Sequence, residues 1–384
     1  MLIPLVMSLL APLGAQAQTS LNNGDLQIKG SLDVYYQTSP QAHRPLGGSS
    51  TLGPNEIEGR SFDRLHNQWV LNSAEISILK KHKQVTFRMD LMFGMMADVL
   101  AGNTQLVTPA DAANEAHEPT KNVAQAFVSY QPERFENLTV TAGKFYTPVG
   151  FEVTKTQDNW QVSRGFLFNY AIPFWHQGLS VNYAWVPSKF TTTLLLLNAW
   201  DGRLSQERNT QSTLGLSANW AANDALSLVY NYLGGSESAQ SRQRRDVHEM
   251  NASWTATSSL IFAGDVVFGQ EKEALAGADA RWSAAALYLK WSPVENFYLS
   301  PRFEIFDGSD GFALSGFNPT PGVASRQKLQ GATLTAAWRL DESFETRLEA
   351  RRDQSDGEGF FVDADGTTAI NHQESFTAAL LYQF

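Results

Sequence analysis

Cysteine is absent from the 384 residues, and charged side chains are sparse, at 18% of the chain. The lack of cysteine excludes a disulfide scaffold and thiolate catalysis, and it is compatible with passage through an oxidising compartment. Basic residues are the minority, since 29 Lys and Arg face 39 Asp and Glu and give a formal net charge of -10. This sign argues against nucleic acid as a partner, because phosphate binding requires a basic patch.

Long apolar runs are also missing. Beyond the first residues, no stretch provides the roughly 20 consecutive apolar residues that a transmembrane helix needs. The chain begins MLIPLVMSLLAPLGAQAQ, a short apolar run without a preceding Lys or Arg, followed by the small-x-small cleavage pattern Ala15-Gln16-Ala17. We expect residues 1–17 to be a signal peptide and residues 18–384 to form the mature domain; a buried helix is the alternative.

Motifs for catalysis or metal binding are few. The seven histidines show no paired spacing for a metal, and no Gly-x-Ser-x-Gly run indicates a hydrolase nucleophile. The run Asp363-Ala364-Asp365-Gly366 resembles a fragment of a calcium loop, but the remaining ligand spacing is missing, so we interpret it as a solvated acidic loop. We expect no catalytic residue, no metal and no cofactor. A triad assembled only in space would leave no such run in the sequence.

The end of the chain, HQESFTAALLYQF, has the period-two alternation of a strand with one apolar face. That face carries Phe376, Ala378, Leu380, Tyr382 and Phe384. An aromatic-rich strand that stops on a terminal Phe suits a transmembrane barrel better than a soluble sheet. It also resembles the C-terminal strand by which outer-membrane barrels are recognised, which implies the barrel-assembly machinery as a partner.

A hairpin unit recurs from Tyr130 to the end of the chain. An aromatic residue closes a strand, a short turn follows, and a new alternating strand begins, as at Trp291-Ser292-Pro293. The connections between these units lack periodicity and are longer; they cover 148–176, 201–210, 235–246, 270–280, 308–327 and 355–371. Short turns at one end and long loops at the other are typical of outer-membrane barrels.

The aromatics beside the short turns predict a girdle at one membrane interface, where amphipathic rings sit between headgroups and hydrocarbon. These residues are Tyr130, Trp185, Trp220, Trp254, Trp291, Trp338 and Phe384. The alternative is the aromatic core of a soluble sandwich, but that would not explain why the rings keep one place relative to the turn.

The alternation predicts about sixteen strands. We place them at 26–38, 68–80, 84–97, 121–131, 137–147, 177–186, 190–200, 211–221, 225–234, 247–257, 260–270, 281–291, 296–307, 328–340, 343–354 and 373–384. The expected fold is an all-β, antiparallel, up-and-down transmembrane barrel with both termini on the periplasmic side, in contact with outer-membrane lipid and lipopolysaccharide. Pro301 falls inside a strand and cannot donate to the ladder, so we expect a bulge there.

Parity along the strands separates lipid-facing from lumen-facing side chains. On 343–354, five ionisable residues share one face, and hydrocarbon excludes them because Arg or Lys at the midplane costs about 2–4 kcal/mol. We expect a water-filled pore, since about eight strands would be filled by side chains whereas sixteen leave a channel. The expected pore-lining and constriction residues are Arg88, Asp90, Lys144, Glu152, Lys155, Asp158, Arg164, Arg302, Glu304, Glu345, Arg347, Glu349 and Arg351.

The long connection at 148–176 carries more aromatic residues than a solvated loop should, including Phe151, Trp160 and Phe168. Such a loop must pack, and the barrel's inner wall is an available surface. We expect it to fold inward and narrow the pore, with its charged side chains facing the wall arginines across a transverse field. The alternatives are a loop that covers the external mouth or one at a subunit contact.

A family resemblance appears in the same region. It rests on Gly143-Lys144-Phe145, Pro148, Gly150-Phe151-Glu152, Asn159-Trp160, Ser163-Arg164, Ile172-Pro173-Phe174, His176 and Gly178. This run resembles the signature region of the putative beta-barrel porin-2 (OmpL-like) family of Gram-negative bacteria. The resemblance implies an outer-membrane porin that carries no catalytic residues.

Our leading functional hypothesis is passive diffusion of small hydrophilic solutes and ions through an outer-membrane channel. A porin selective for anions or sugars is the second hypothesis. A barrel hydrolase or a structural surface protein is the third. The sequence does not determine the solute or the oligomeric state. A homotrimer is one possible state.

Overall fold

The computed structural model describes residues 19–20, 26–42, 57, 59–102, 119–201, 211–237, 244–275, 278–314, 327–357, 360–365 and 368–384. The expected signal peptide, residues 1–17, lies outside these described residues.

Sixteen long strands form in the described part of the chain. They are β1 (Leu26–Thr38), β2 (Gln68–His82), β3 (Val85–Phe93), β4 (Val123–Tyr130), β5 (Leu138–Tyr146), β6 (Trp175–Val186), β7 (Phe190–Leu197), β8 (Thr213–Ala221), β9 (Leu226–Ser236), β10 (Arg244–Thr257), β11 (Leu260–Leu275), β12 (Ala278–Val294), β13 (Phe297–Gly308), β14 (Gln327–Arg339), β15 (Phe344–Ser355) and β16 (His372–Gln383). Short strands at Thr19–Ser20, Phe361–Val362 and Ala369–Ile370 accompany them.

Each long strand pairs antiparallel with the next, and β16 pairs with β1 to close the barrel. The closure continues past the last strand, because Phe384 and Gly30 exchange two backbone N–H···O bonds of 3.0 Å. The ring of Phe384 covers Gly30 so closely that a Cβ there would overlap it. The aromatic terminus predicted from the alternation is therefore part of the barrel seam.

The predicted strands agree with the observed ones except at a few ends. The strand expected over 84–97 stops at Phe93, and a helix, α1 (Met95–Gly102), follows. Gly94 makes this change of direction with a φ of +105°, which favours glycine. The connection expected over 270–280 is mostly strand, since β11 runs to Leu275 and β12 starts at Ala278. Ladder pairing extends these strands beyond the alternating core of the sequence.

The bulge expected at Pro301 is wrong. Pro301 pairs with Leu334 in an unbroken β13–β14 register. On the β12 side, Tyr288 pairs with Arg302 and Trp291 with Leu299 in the same register, so the missing N–H interrupts the ladder without shifting it. The register changes only between Trp291 and Val294, close to the turn.

The two faces of the strands differ as an amphipathic barrel requires. On β14, Leu334 is 51% exposed on the outside, whereas Thr335 points inward and is fully buried. Trp338 and Lys328 both face outward, ten residues apart on this strand. At about 3.3 Å per residue and a tilt of about 40°, they bracket roughly 25 Å, the height of an outer-membrane apolar band. No helix in the described residues is long and apolar enough to cross a membrane.

The long connection between β5 and β6, residues 147–174, folds inward, and we call it the inner loop. Its side chains Phe166, Phe168 and Tyr170 are completely buried inside the barrel. A short 3₁₀ turn (Thr156–Asp158) and a π-helical turn (Leu167–Ala171) give it local structure. The aromatic content that predicted packing is therefore explained by the interior of the barrel and not by its mouth.

A candidate channel and its inner loop

The inner loop is fastened to the middle of β13 by Arg302. Its Nη1 lies 2.6 Å from Oε1 of Glu152 and donates to the carbonyl of Ser163 at 2.8 Å. Glu304, two residues along the strand, accepts from the backbone N–H of Phe166. All three charged side chains are buried, so these bonds form where water does not compete for them.

Strand β15, separated from β13 by β14, binds backbone groups of the inner loop. Glu349 accepts from the N–H of Val162 at 2.6 Å and of Ser163 at 3.0 Å. Arg347 Nη1 donates to the carbonyl of Gln161 at 3.0 Å, and Arg351 Nη1 donates to that of Arg164 at 2.6 Å. Along β15, the acceptor Glu349 therefore lies between the donors Arg347 and Arg351. These three side chains pair with backbone N–H and C=O groups of the loop, which need hydrogen-bond partners because they are buried.

The first part of the loop also contacts β1 and β2. Asp33 accepts from the Thr156 hydroxyl, and Asn72 donates to the same oxygen of Asp33 at 2.5 Å. Lys155 forms an ion pair with Glu75. These contacts attach the loop to β1 and β2, which follow β15 and β16 around the barrel.

Contacts with β9 and β11 complete the attachment. Asn231 Nδ2 donates to the carbonyl of Pro148 at 3.0 Å, and Asp265 accepts from the N–H of Phe151 at 2.8 Å. A second external connection also enters the barrel, because Arg60 lies 2.8 Å from Asp353 on β15 and is itself buried. Because Pro148 is bound to β9 and Thr156 to β1, which lie eight strands apart in the sixteen-stranded barrel, the inner loop crosses the lumen.

The remaining expected lumen residues have different surroundings. Arg88 and Asp90 pair with each other on β3 at 2.9 Å. Arg164 is buried within the loop itself and donates to the carbonyls of Val153 and Val162. Glu345 pairs with Arg347 at 2.6 Å. These residues are all inside the barrel.

Two of the expected lumen charges stand apart from the fastened group. Asp158, at the end of the 3₁₀ turn, is exposed. Lys144 contacts Thr120 and lies 3.4 Å above the ring of Trp175, near the ends of β5 and β6 that carry long loops. Lys144 therefore lies on β5, apart from Arg302, Arg347 and Arg351, with which the transverse-field hypothesis groups it on the side opposite Glu152.

The lumen near the short turns is polar and accessible. Thr141, Asn182 and Asn219 point inward there and are only half-buried, as are Arg88 and Lys290. A side chain that faces the inside of a closed barrel and still has accessible surface borders open space. We call this space the vestibule.

Comparison with known proteins decides the family. The model of the putative beta-barrel porin-2, OmpL-like family matches residues 25–384. The chain belongs to this family. It is an outer-membrane porin, and the expectation drawn from residues 143–178 is confirmed.

Solved outer-membrane channels share the porin's fold. The outer-membrane channel DcaP of Acinetobacter baumannii is 10% identical with a TM-score of 0.59, over 94% of this chain and 97% of that one. The anion-selective porin from Comamonas acidovorans is 11% identical with a TM-score of 0.57, over 94% and 99%. OmpT of Vibrio cholerae is 8% identical with a TM-score of 0.57, over 95% and 99%, and has also been solved in a trimer form. No curated protein matches the porin in sequence.

The charges of the porin's lumen are arranged differently from the expected transverse field. Arg302 contacts Glu152 directly, and Arg351 lies 3.7 Å from Glu304 and 2.6 Å from Asp353. These cations and anions meet in buried pairs and do not face each other across water. Removing one partner from such a pair costs about 3–5 kcal/mol, so their first effect is to hold the loop.

Several residues that fasten the porin's inner loop, or in the case of Arg60 the second connection that enters the barrel, were not predicted as sites. They are Asp33, Arg60, Asn231 and Asp265. Asp33 and Asp265 could have been found, since each is an acid on the inward parity of an otherwise uncharged stretch of strand. Arg60 and Asn231 gave no such signal, because one lies in a long connection and the other is an uncharged residue among many.

The aromatics expected to form a girdle share one location in the porin. All seven lie beside the short turns or at the chain terminus and are exposed, from 37% for Trp338 to 60% for Trp185. Several contact a second outward-facing ring; Trp254 and Phe262, for example, stack with 5.7 Å between centroids. None of the seven belongs to the packed interior of the described barrel.

Proposed function

We propose that the porin admits small hydrophilic solutes and ions by passive diffusion, with the inner loop as the constriction. The observation that carries the proposal is the position of this loop, which crosses the lumen at mid-height and is held there by Arg302 and Glu349. Solutes must pass between the loop and the wall, so the loop sets the size limit. This restriction requires no catalytic group, and we propose a channel without enzymatic activity.

The exposed aromatics support a role as the girdle at the periplasmic interface, because amphipathic rings favour the boundary between headgroups and hydrocarbon. Lipopolysaccharide would then contact the opposite rim. A homotrimer is the oligomeric state we propose, in line with the trimer form of OmpT. Cross-linking in native membranes would test this state.

Single-channel recording in planar bilayers tests the channel. We expect stepwise conductance from the wild-type porin, and a larger step when residues 151–172 are replaced by a Gly-Ser linker, because the constriction is removed. A correctly folded barrel that never conducts, with or without the replaced loop, would contradict the proposal.

The alternative function is a porin selective for anions or sugars. The structural similarity to an anion-selective porin is the reason to test it. Saturable block of the ionic current by one solute would support selectivity. A current that falls only in proportion to solute size would support general diffusion.

A further inference from the structure

The lumen contains a second feature besides the polar attachment of the inner loop. Toward the end of the barrel with long loops, many inward-facing side chains are apolar and form a buried cluster with side chains of the inner loop. On the wall they include Met92, Leu195, Leu197, Leu233, Val247, Val267, Phe306 and Leu329. On the connections they include Phe62, Val149, Phe166, Phe168, Ile172, Phe174, Phe360 and Phe361.

These side chains form one contiguous cluster that crosses the barrel. It has wall members on β3 to β7 and on β9 to β14, and a smaller cluster continues it on β1, β2 and β16 through Tyr35, Val70 and Ala379. Val162 of the inner loop belongs to the smaller cluster, and Met95 contacts both. Side chains from nearly every strand therefore meet in one layer.

The layer is tightly packed. Phe168 lies 4.9 Å from Phe174 between ring centroids, and Tyr170 lies 5.4 Å from Phe306 on the wall. Val267, Phe166 and Ile172 have no exposed surface. Such packing is that of a protein core, which leaves no room for a hydrated ion.

We propose that this apolar layer is a hydrophobic gate, which closes the porin at rest and opens when the apolar side chains of the inner loop move away from those of the wall. The inference rests on the proposed channel function and adds its regulation. Apolar constrictions exclude water and ions because neither finds hydrogen-bond partners there. The vestibule is polar and accessible, so the barrier to conduction lies above it, where the apolar layer and the inner loop fill the lumen.

Two neighbouring leucines on β7 allow a matched test. Leu195 points into the layer and is 4% exposed, whereas Leu194 points outward and is 60% exposed. Leu195→Ser places a hydroxyl in the gate and lets water enter. Leu194→Ser makes the same chemical change on the outer face. Heat-modifiable migration on gels would confirm that both barrels fold.

Single-channel recording in KCl then gives the result. We expect the wild type and Leu194→Ser to remain mostly closed, and Leu195→Ser to raise the open fraction at least several-fold. A wild type that is steadily open, with Leu195→Ser unchanged from it, would overturn the gate and leave the channel function intact. Absence of current from all three proteins and from the variant with residues 151–172 replaced would instead overturn the channel function.

Leu233→Ser on β9 provides a second variant if Leu195→Ser does not fold. Leu233 is 1% exposed in the same layer, and Tyr230 on the same strand faces outward. We expect Leu233→Ser to open the porin and Tyr230→Ser to leave it closed. Equal open fractions in these two variants would also contradict the gate.

Discussion

Arg302 on β13 and Glu152 on the inner loop form an ion pair with 2.6 Å between Nη1 and Oε1, and both side chains are almost completely buried. The two residues lie 150 positions apart in the sequence. The guanidinium also donates to the carbonyl of Ser163 and to the hydroxyl of Thr333 on β14, so one side chain connects the inner loop to two strands. This pair connects the wall of the channel to the segment that narrows it.

Breaking this pair should destabilise the folded barrel. Arg302→Met leaves Glu152 buried without its cation and removes one of the two cations beside Glu304, and we expect a loss of about 3–5 kcal/mol in the free energy of unfolding. This loss can be measured by urea-induced unfolding in lipid vesicles, with tryptophan fluorescence as the readout. Lys328→Met is the control, because Lys328 pairs with Asp307 on the exposed rim, where such pairs contribute about 0–1 kcal/mol. Equal losses in the two variants would exclude a structural role for the buried pair.

Weakening the attachment on β15 should loosen the inner loop. Glu349→Gln keeps the shape of the side chain but replaces one of the two acceptor oxygens that bind Val162 and Ser163, which leaves a buried N–H unpaired at a cost of about 1–3 kcal/mol. We expect more frequent current fluctuations in planar bilayers. Glu374→Gln, on the outer rim, removes an exposed carboxylate and should leave the current unchanged. A quiet Glu349→Gln channel would show that this bond does not restrain the loop.

A charged substitution on the outer face of the barrel should destabilise the protein more near the middle of the membrane than near its surface. Leu334→Arg, near the middle of β14, should cost about 2–4 kcal/mol of unfolding free energy in vesicles. Leu340→Arg makes the same substitution in the turn after β14, where the cost falls to about 0–1 kcal/mol. Both leucines are more than half exposed, so a difference in packing would not explain a difference between the two losses of unfolding free energy. A larger loss at Leu340 would contradict the assigned membrane position.

Gly94 should be intolerant of a side chain. Its φ is +105°, and a Cβ would approach the carbonyl oxygens of Leu71 and Asn72 to 2.8 Å. We expect Gly94→Ala to cost about 1–3 kcal/mol in urea unfolding. Gly264→Ala on β11 serves as the comparison, because a Cβ there meets its nearest neighbour, Leu287, at 3.4 Å. We expect its change to remain within about 0.5 kcal/mol.

The strands illustrate what a local pattern can determine. Sixteen strands were predicted with ends mostly within a few residues of the observed ones, because alternation of apolar and polar side chains is a property of neighbouring positions. The exceptions have local causes that the pattern does not contain. Residues 95–97 continue the apolar run of β3, yet the chain turns at Gly94 and forms α1.

The inner loop illustrates what a local pattern cannot determine. Its aromatic content predicted packing, and parity placed Arg302, Arg347, Glu349 and Arg351 inside the barrel. The sequence did not determine that these charges bind loop peptide groups and loop carboxylates directly.

The sequence by itself determined that this chain is an outer-membrane barrel with charged residues on its inner face, since lipid and water impose a two-residue period on every strand. Only the tertiary structure decided that the inner loop crosses the lumen and that an apolar layer lies above the vestibule. The physical reason is separation along the chain: Arg302 and Ser163 are 139 residues apart, and Val162 and Glu349 are 187. Closure of the barrel brings these residues together, and the two-residue period of the strands contains no information about which distant residues meet.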